Sequence, residues 1–102
     1  MEHNVKVEHV RLTEAMIVHQ IRRHMQRQHI ARKRLAMHTG IKDSTLDKIL
    51  SGHTSLKVNA LMQIMEALDV DAVAFLARVR MEEQRRIRLG KEAYQGESND
   101  GI

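Results

Sequence analysis

The chain has 102 residues, which suits one domain with a modest core, and without cysteine it has neither a disulfide framework nor a thiolate metal site. One Phe, one Tyr and no Trp disfavour a β-sandwich or a base-stacking platform, whereas abundant Leu, Met, Ala, Arg and Glu favour helices. The net charge is +4, no apolar run reaches the roughly 20 residues of a membrane span, and no signal peptide is recognisable, so we expect a cytoplasmic protein without a membrane segment.

The first predicted elements are an N-terminal arm and a helix. The arm covers residues 1–12, where Val5 and Val7 alternate with polar residues, as in a short strand or a loose segment. Thr13 is the predicted N-cap of the first helix, which ends near Gln28. The apolar residues of this helix recur at every fourth position, which predicts one buried face, and they are Ile17, Ile21 and Met25.

The second and third helices are predicted over about residues 31–38 and 43–51, with a tight turn between them. Two short helices can cross steeply only where the facing residue is small, as Ala36 is. Gly40 allows the positive φ that the reversal needs, and Ile41 covers the turn. The predicted inward-facing residues are Leu35, Leu46, Ile49 and Leu50. Residues 32–51 therefore form a predicted helix-turn-helix.

The fourth and fifth helices complete the predicted domain over residues 13–89. The fourth helix covers residues 58–68, and its apolar residues at helical spacing are Val58, Leu61, Met62, Met65 and Leu68. Asp71 caps the fifth helix, whose apolar stripe is Phe75, Leu76 and Val79, and whose charged continuation ends at Leu89. Residues 90–102 have the composition of a flexible tail. The methionines expected to fill the core are Met25, Met62 and Met65.

A basic run overlaps the predicted helix-turn-helix. Residues 15–42 contain no Asp or Glu, and their cations are Arg22, Arg23, Arg27, Arg32, Lys33, Arg34 and Lys42. A polyanion would relieve the mutual repulsion of these charges. A basic run alone could equally be the solvated face of a helical adaptor. Its overlap with a helix whose outer residues are Ser44, Lys48 and Ser51 favours duplex DNA instead.

The runs IARKRLAMHTGIKDSTLDKILSG and SLKVNALMQIMEALDV resemble the lambda-repressor/Cro superfamily of XRE-type helix-turn-helix regulators. The resemblance covers about residues 14–77. It implies an all-α, five-helix lambda-repressor-like DNA-binding domain, here with an extended C-terminal helix. It also implies sequence-specific binding to double-stranded DNA, usually by dimers on inverted repeats, and regulation of transcription.

The resemblance places Arg32 at a DNA contact of the second helix and Asp43, Ser44, Asp47 and Lys48 at base-reading positions of the third. Lys42 stands where the family usually has a good N-cap, so the third helix is expected to start at Asp43. The predicted DNA-binding residues are Arg32, Lys33, Lys42, Asp43, Ser44, Thr45, Asp47, Lys48, Ser51 and His53.

Catalysis, metal binding and cofactors are not expected. Three histidines of the basic run, His19, His24 and His29, are five residues apart and so share no helical face for a metal. Ser51 and His53 are treated as chance neighbours in a loop, since no acid or oxyanion donor is implied.

The leading interpretation is a repressor of the phage immunity or Cro-like type, acting as a homodimer. The expected dimer contact is the fifth helix over residues 75–89, with the N-terminal arm as the alternative. The alternative function is an antitoxin that binds its toxin and its own promoter. RNA binding is a third class, disfavoured by the scarcity of aromatic residues.

Overall fold

The computed structural model describes the backbone of residues 11–100 and the side chains of residues 11–90. Residues 11–100 form five α-helices, which are α1 (Glu14–Gln28), α2 (Arg32–Thr39), α3 (Asp43–Leu50), α4 (Val58–Ala67) and α5 (Ala72–Asp100). This confirms the predicted all-α, five-helix fold. Most of the predicted arm, residues 1–10, lies outside the described residues.

Two predicted N-caps are present in the structure. The Thr13 Oγ1 accepts a hydrogen bond from the Met16 N–H at 3.3 Å and caps α1. The Asp71 Oδ2 accepts one from the Ala74 N–H at 2.9 Å and caps α5. These side chains satisfy backbone donors that the first helical turn leaves without partners, which explains why both helices begin where the sequence predicts.

Several predicted helix ends are corrected by one residue or more. α2 begins at Arg32 because Ala31 is extended, with ψ 158°. Ser51 and Leu68 stand just after α3 and α4 as C-caps, not inside the helices. α5 continues past Leu89, where the sequence analysis ended it, to Asp100. The residues after Leu89 include several good helix formers and no proline. The expected flexibility of residues 90–102 stays a prediction.

The core receives side chains from all five helices. Its fully buried members include Ile21, Leu35, Leu46, Ile64, Phe75 and Val79. The prediction for α4 was partly wrong, since Val58 and Met62 are 74% and 51% exposed while Ile64 is fully buried. The buried stripe of α4 is centred on Leu61, Ile64, Met65 and Leu68. Positions 58 and 62 fall at its edge, because each residue turns the helix by about 100°.

α5 packs against α1 and closes the domain. The rings of His24 on α1 and Phe75 on α5 lie with their centroids 5.7 Å apart. Further along α5, Glu83 is nearly buried and accepts a hydrogen bond from Arg86 at 3.0 Å. Within the described residues, no helix is both long and apolar enough to cross a membrane.

Candidate nucleic-acid interface

The turn between α2 and α3 is fixed by local hydrogen bonds. Gly40 has φ 80°, and its N–H donates to the Ala36 carbonyl at 2.9 Å. The Thr39 hydroxyl donates to the same carbonyl at 3.2 Å and accepts from the Ile41 N–H at 3.1 Å. Thr39 is polar at an inner position because its hydroxyl completes the hydrogen bonds of this turn. The turn brings α3 back against α2.

α3 has one buried and one exposed side. Leu46, Ile49 and Leu50 are 0%, 4% and 7% exposed. The residues on the opposite side are exposed, and they are Ser44, Thr45, Asp47, Lys48 and, just past the helix end, Ser51. The structure thus brings these predicted DNA-binding residues to one free surface. Their contacts with DNA stay a prediction.

The start of α2 is tied to α3 by an ionic cluster of Arg32, Asp43 and Asp47. The Arg32 Nε and Nη2 donate to the two carboxylate oxygens of Asp43 at 2.9 and 3.3 Å. The Arg32 Nη1 donates to the Asp47 Oδ1 at 2.9 Å. All three side chains are partly exposed, at 39%, 40% and 57% in that order. The cluster therefore lies on the surface, beside the exposed side of α3.

This cluster shifts the proton equilibria of its members. The hydrogen bonds from Arg32, helped by the charges of Arg32 and Lys33, hold the pKa of the Asp43 carboxyl below its usual value. The same hydrogen bond raises the pKa of Arg32. At neutral pH both groups are therefore charged, as the ion pair requires.

The cluster also corrects the sequence-based view of the basic run. Arg32 is one of the cations for which the basic run contains no counter-charge. Its partners, Asp43 and Asp47, lie 11 and 15 residues further along the chain. Both acids follow the end of the basic run, so a scan of local charge misses them. The ion pairs depend on the packing of α2 on α3, which brings the start of α2 beside the first turns of α3, and no local pattern of the sequence signals this packing.

The remaining predicted residues flank α3 at its two ends. Lys42 is the extended residue before α3, so the helix begins at Asp43 as predicted. Lys42 and Lys33 are both exposed. At the other end, the Ser51 hydroxyl lies within hydrogen-bond distance of the His53 Nδ1, at 2.7 Å, and both side chains are exposed in the loop after α3. This hydrogen bond fixes the loop that leaves α3.

Sequence reasoning missed the part played by α1. The Arg22 Nη1 donates to the Leu50 carbonyl at the end of α3, at 3.0 Å. Beside this bond a groove of about 800 Å³ separates α1 from the helix-turn-helix. Its lining residues include His19, Arg22, Arg23, Arg32, Asp47 and Ser51. The basic residues of α1 thus extend the positive surface next to α3, although 28 residues separate Arg22 from its partner.

Two short helices packed against each other, the second with an exposed polar side and basic residues around it, define a helix-turn-helix DNA-binding unit. Residues 20–88 match the family model of the Cro/C1-type HTH DNA-binding domain. The match spans more than half of the chain, so the protein belongs to this family, and the predicted superfamily is confirmed. No curated protein and no solved structure matches the chain. Among the described residues, no group of three or more His, Cys, Asp or Glu side chains could hold a metal ion.

Proposed function

We propose that this DNA-binding protein is a transcriptional repressor that binds an inverted-repeat operator as a homodimer. The observation that carries the proposal is the exposed side of α3, where Ser44, Thr45 and Lys48 stand free of the core. On this proposal the protein acts by binding alone, without catalysis or a cofactor, in the cytoplasm.

On this proposal the exposed residues on and beside α3 have separate tasks. Ser44 and Lys48 lie one helical turn apart and are short or slender enough to reach base edges in a major groove. Lys33 and Lys42, exposed beside α3, are placed to contact phosphates. A single α3 would read only a few base pairs, too few to define a site in a genome. Two copies on an inverted repeat would double the site, with half-sites about 34 Å apart.

The experiment that tests this proposal is selection of bound duplexes from a random pool, followed by affinity measurements on the enriched site. We expect an inverted repeat whose affinity falls about 10³-fold between about 50 and 200 mM salt, as about six phosphate contacts require. Failure to enrich any sequence, or binding that does not depend on salt, would contradict the proposal.

An antitoxin is the second candidate, and the exposed apolar residues of α5 favour it as much as they favour a homodimer. Met81, Ile87 and Leu89 are 65%, 46% and 50% exposed. Exposed apolar side chains suit contact with a partner chain, either a second copy or a toxin, and Ile87 and Leu89, two residues apart, offer it on different sides of the helix. The mass of the purified protein, measured with and without the product of the neighbouring gene, separates the two. A gain in mass when that product is added supports the antitoxin, whereas an unchanged mass supports the repressor.

A further inference from the structure

We infer that Arg32 is a positioning residue for base reading. It fixes the Asp43 and Asp47 carboxylates on α3 and does not make the phosphate contact that its sequence position predicts. This inference rests on the proposed DNA-binding function and assigns a determinant of its specificity.

The hydrogen bonds of Arg32 leave it poorly suited to a phosphate. Each of its three guanidinium nitrogens already donates to a carboxylate oxygen, two to Asp43 and one to Asp47. The paired bonds to Asp43 have the fork geometry that makes arginine–carboxylate pairs directional. An approaching phosphate would have to displace these bonds or use the few N–H groups that remain.

The same bonds orient the Asp43 carboxylate so that it can accept a hydrogen bond from a DNA base. Asp43 is the first residue of α3, and its two oxygens are held by the fork while 40% of its side chain stays exposed. Each carboxylate oxygen can accept a second hydrogen bond. The cytosine amino group is the base donor that a carboxylate reads in the major groove. Arg32 thus fixes the direction in which Asp43 presents its oxygens.

Charge gives Arg32 a second effect on the same surface. Asp43, the half-buried first residue of α3, and Asp47, one helical turn further along, lie beside the exposed side of α3 that the proposed function turns toward DNA. Two unpaired carboxylates there would repel phosphates within about 10 Å. With Arg32 between them the three side chains carry one net negative charge in place of two. By reducing this negative charge, Arg32 allows Asp43, an acidic base-reading residue, to approach DNA.

The test compares R32Q, R32K, D43N and the matched control K33Q in the full chain. Affinities are measured for the selected operator and for its single-base variants. K33Q removes the same charge from the adjacent exposed residue, so it should weaken all sequences alike and lower the salt slope by about 0.9. R32Q should reduce discrimination at the base position that D43N affects, by about 5- to 150-fold. The double variant R32Q/D43N should add no further loss at that position.

R32K separates geometry from charge. It keeps the positive charge but lacks the fork, so it should lose base discrimination like R32Q while it keeps the salt slope of the unmodified protein. If R32Q behaves like K33Q and R32K behaves like the unmodified protein, Arg32 is a phosphate contact and the inference is overturned. R32K also carries the comparison if R32Q is too unstable for the binding assay.

A measurement without DNA distinguishes this inference from the proposed function. The titration of the Asp43 carboxyl, followed by NMR, should move to higher pH in R32Q because its hydrogen-bond donor is gone. An unchanged Asp43 titration would show that the ion pair does not form in solution and would overturn the inference alone. If the unmodified protein binds no duplex at all, the proposed function fails even where this titration moves as expected.

Discussion

Ser44 and Lys48 are the exposed residues of α3 whose substitution should alter base preference with little effect on folding. Neither side chain packs in the core. We expect Ser44→Ala and Lys48→Ala each to cost about 1–3 kcal/mol of binding free energy on the selected site. Competition binding against a random duplex pool measures this loss. The matched control is Arg80→Ala, which removes the same charge as Lys48→Ala from an exposed position on α5. An equal loss on selected and random DNA would show that Lys48 contacts phosphate only.

His24 makes the α1–α5 contact sensitive to acid. Burial lowers the pKa of His24 below the ordinary value of 6.5, and the charges of Arg27 and Arg78 lower it further. The unfolded chain therefore takes up this proton at a higher pH than the folded chain does. Above about pH 6.5 the protonation of His24 does not change the free energy of unfolding. As the pH drops from there to the lowered pKa of His24, the free energy of unfolding falls.

His24→Gln should remove this acid sensitivity. Urea unfolding at about pH 7.5 and about pH 5.5 measures the change in the free energy of unfolding, and the unmodified protein should lose more of it than the variant. His19→Gln, an exposed substitution on the same helix, is the control and should keep the pH dependence of the unmodified protein. The same slope in all three proteins would show that His24 does not titrate differently on folding.

At the scale of the helices, residues with a left-handed backbone conformation end α1 and α2 and set the direction that the chain takes after each helix. Gly40 has φ 80°, and a Cβ added there would meet no atom within 4 Å. Gly40→Ala should therefore destabilise the domain by backbone strain alone, by about 1 kcal/mol. His29, which ends α1, has φ 58° with a full side chain. His29→Gly should relieve strain and raise the free energy of unfolding by up to about 1 kcal/mol.

Urea unfolding of both variants measures these changes. Gly40→Asn is the control, since asparagine tolerates the left-handed region better than alanine and should cost less. A loss as large for Gly40→Asn as for Gly40→Ala would indicate that the side chain, not the backbone, is responsible.

The sequence predicted the helices and the exposed side of α3 well, because both follow from apolar spacing along a single helix. Thr13 and Asp71 also fixed two starts, since their side chains make the capping bonds. The ends of α3 and α4 were missed by one residue because Ser51 and Leu68 are caps with near-helical φ and ψ. The residue types at these positions do not show at which residue the helix ends.

The ion pairs of Arg32 could not be predicted, because they depend on how two helices cross. The bond from Arg22 to the Leu50 carbonyl is hidden for the same reason. Met62 is predicted in the core from its helical spacing and apolar character, yet it is 51% exposed because the buried stripe of α4 is centred on other positions. Contacts between helices, and not the helices themselves, are what a single sequence leaves open.

At the scale of the whole molecule, α5 both closes the domain and offers a surface for a partner. Phe75 and Val79 are 1% and 2% exposed, so the first part of the predicted dimer contact is used by the domain itself. Glu82 and Glu83 form ion pairs with Arg85 and Arg86 of their own helix at 3.4 and 3.0 Å. The apolar residues left for a second copy are Met81, Ile87 and Leu89.

We expect the double substitution Met81→Lys and Ile87→Lys to give a folded monomer that binds the inverted repeat much more weakly. Two buried lysines would oppose pairing of the helices. Sedimentation equilibrium measures the mass, and a gel-shift assay measures operator affinity. Val73→Lys is the control, since Val73 is 77% exposed on the same helix but lies before the proposed contact. A lysine variant that still sediments as a dimer would place the contact elsewhere, with the N-terminal arm next to be tested.

The return of α5 to the first helix also sets the order in which the chain should fold. α2 contacts α3 across a short turn and contacts α4 just beyond it, whereas the α1–α5 contact closes a loop that contains all three helices. Local contacts of this kind form rapidly, while closing the long loop costs chain entropy before its contacts repay it. We therefore expect α5 to dock late, so that Phe75→Leu speeds unfolding with little change in the folding rate. The helix proposed to bind a second copy would then also be the first to detach, and association would slow unfolding by holding it in place.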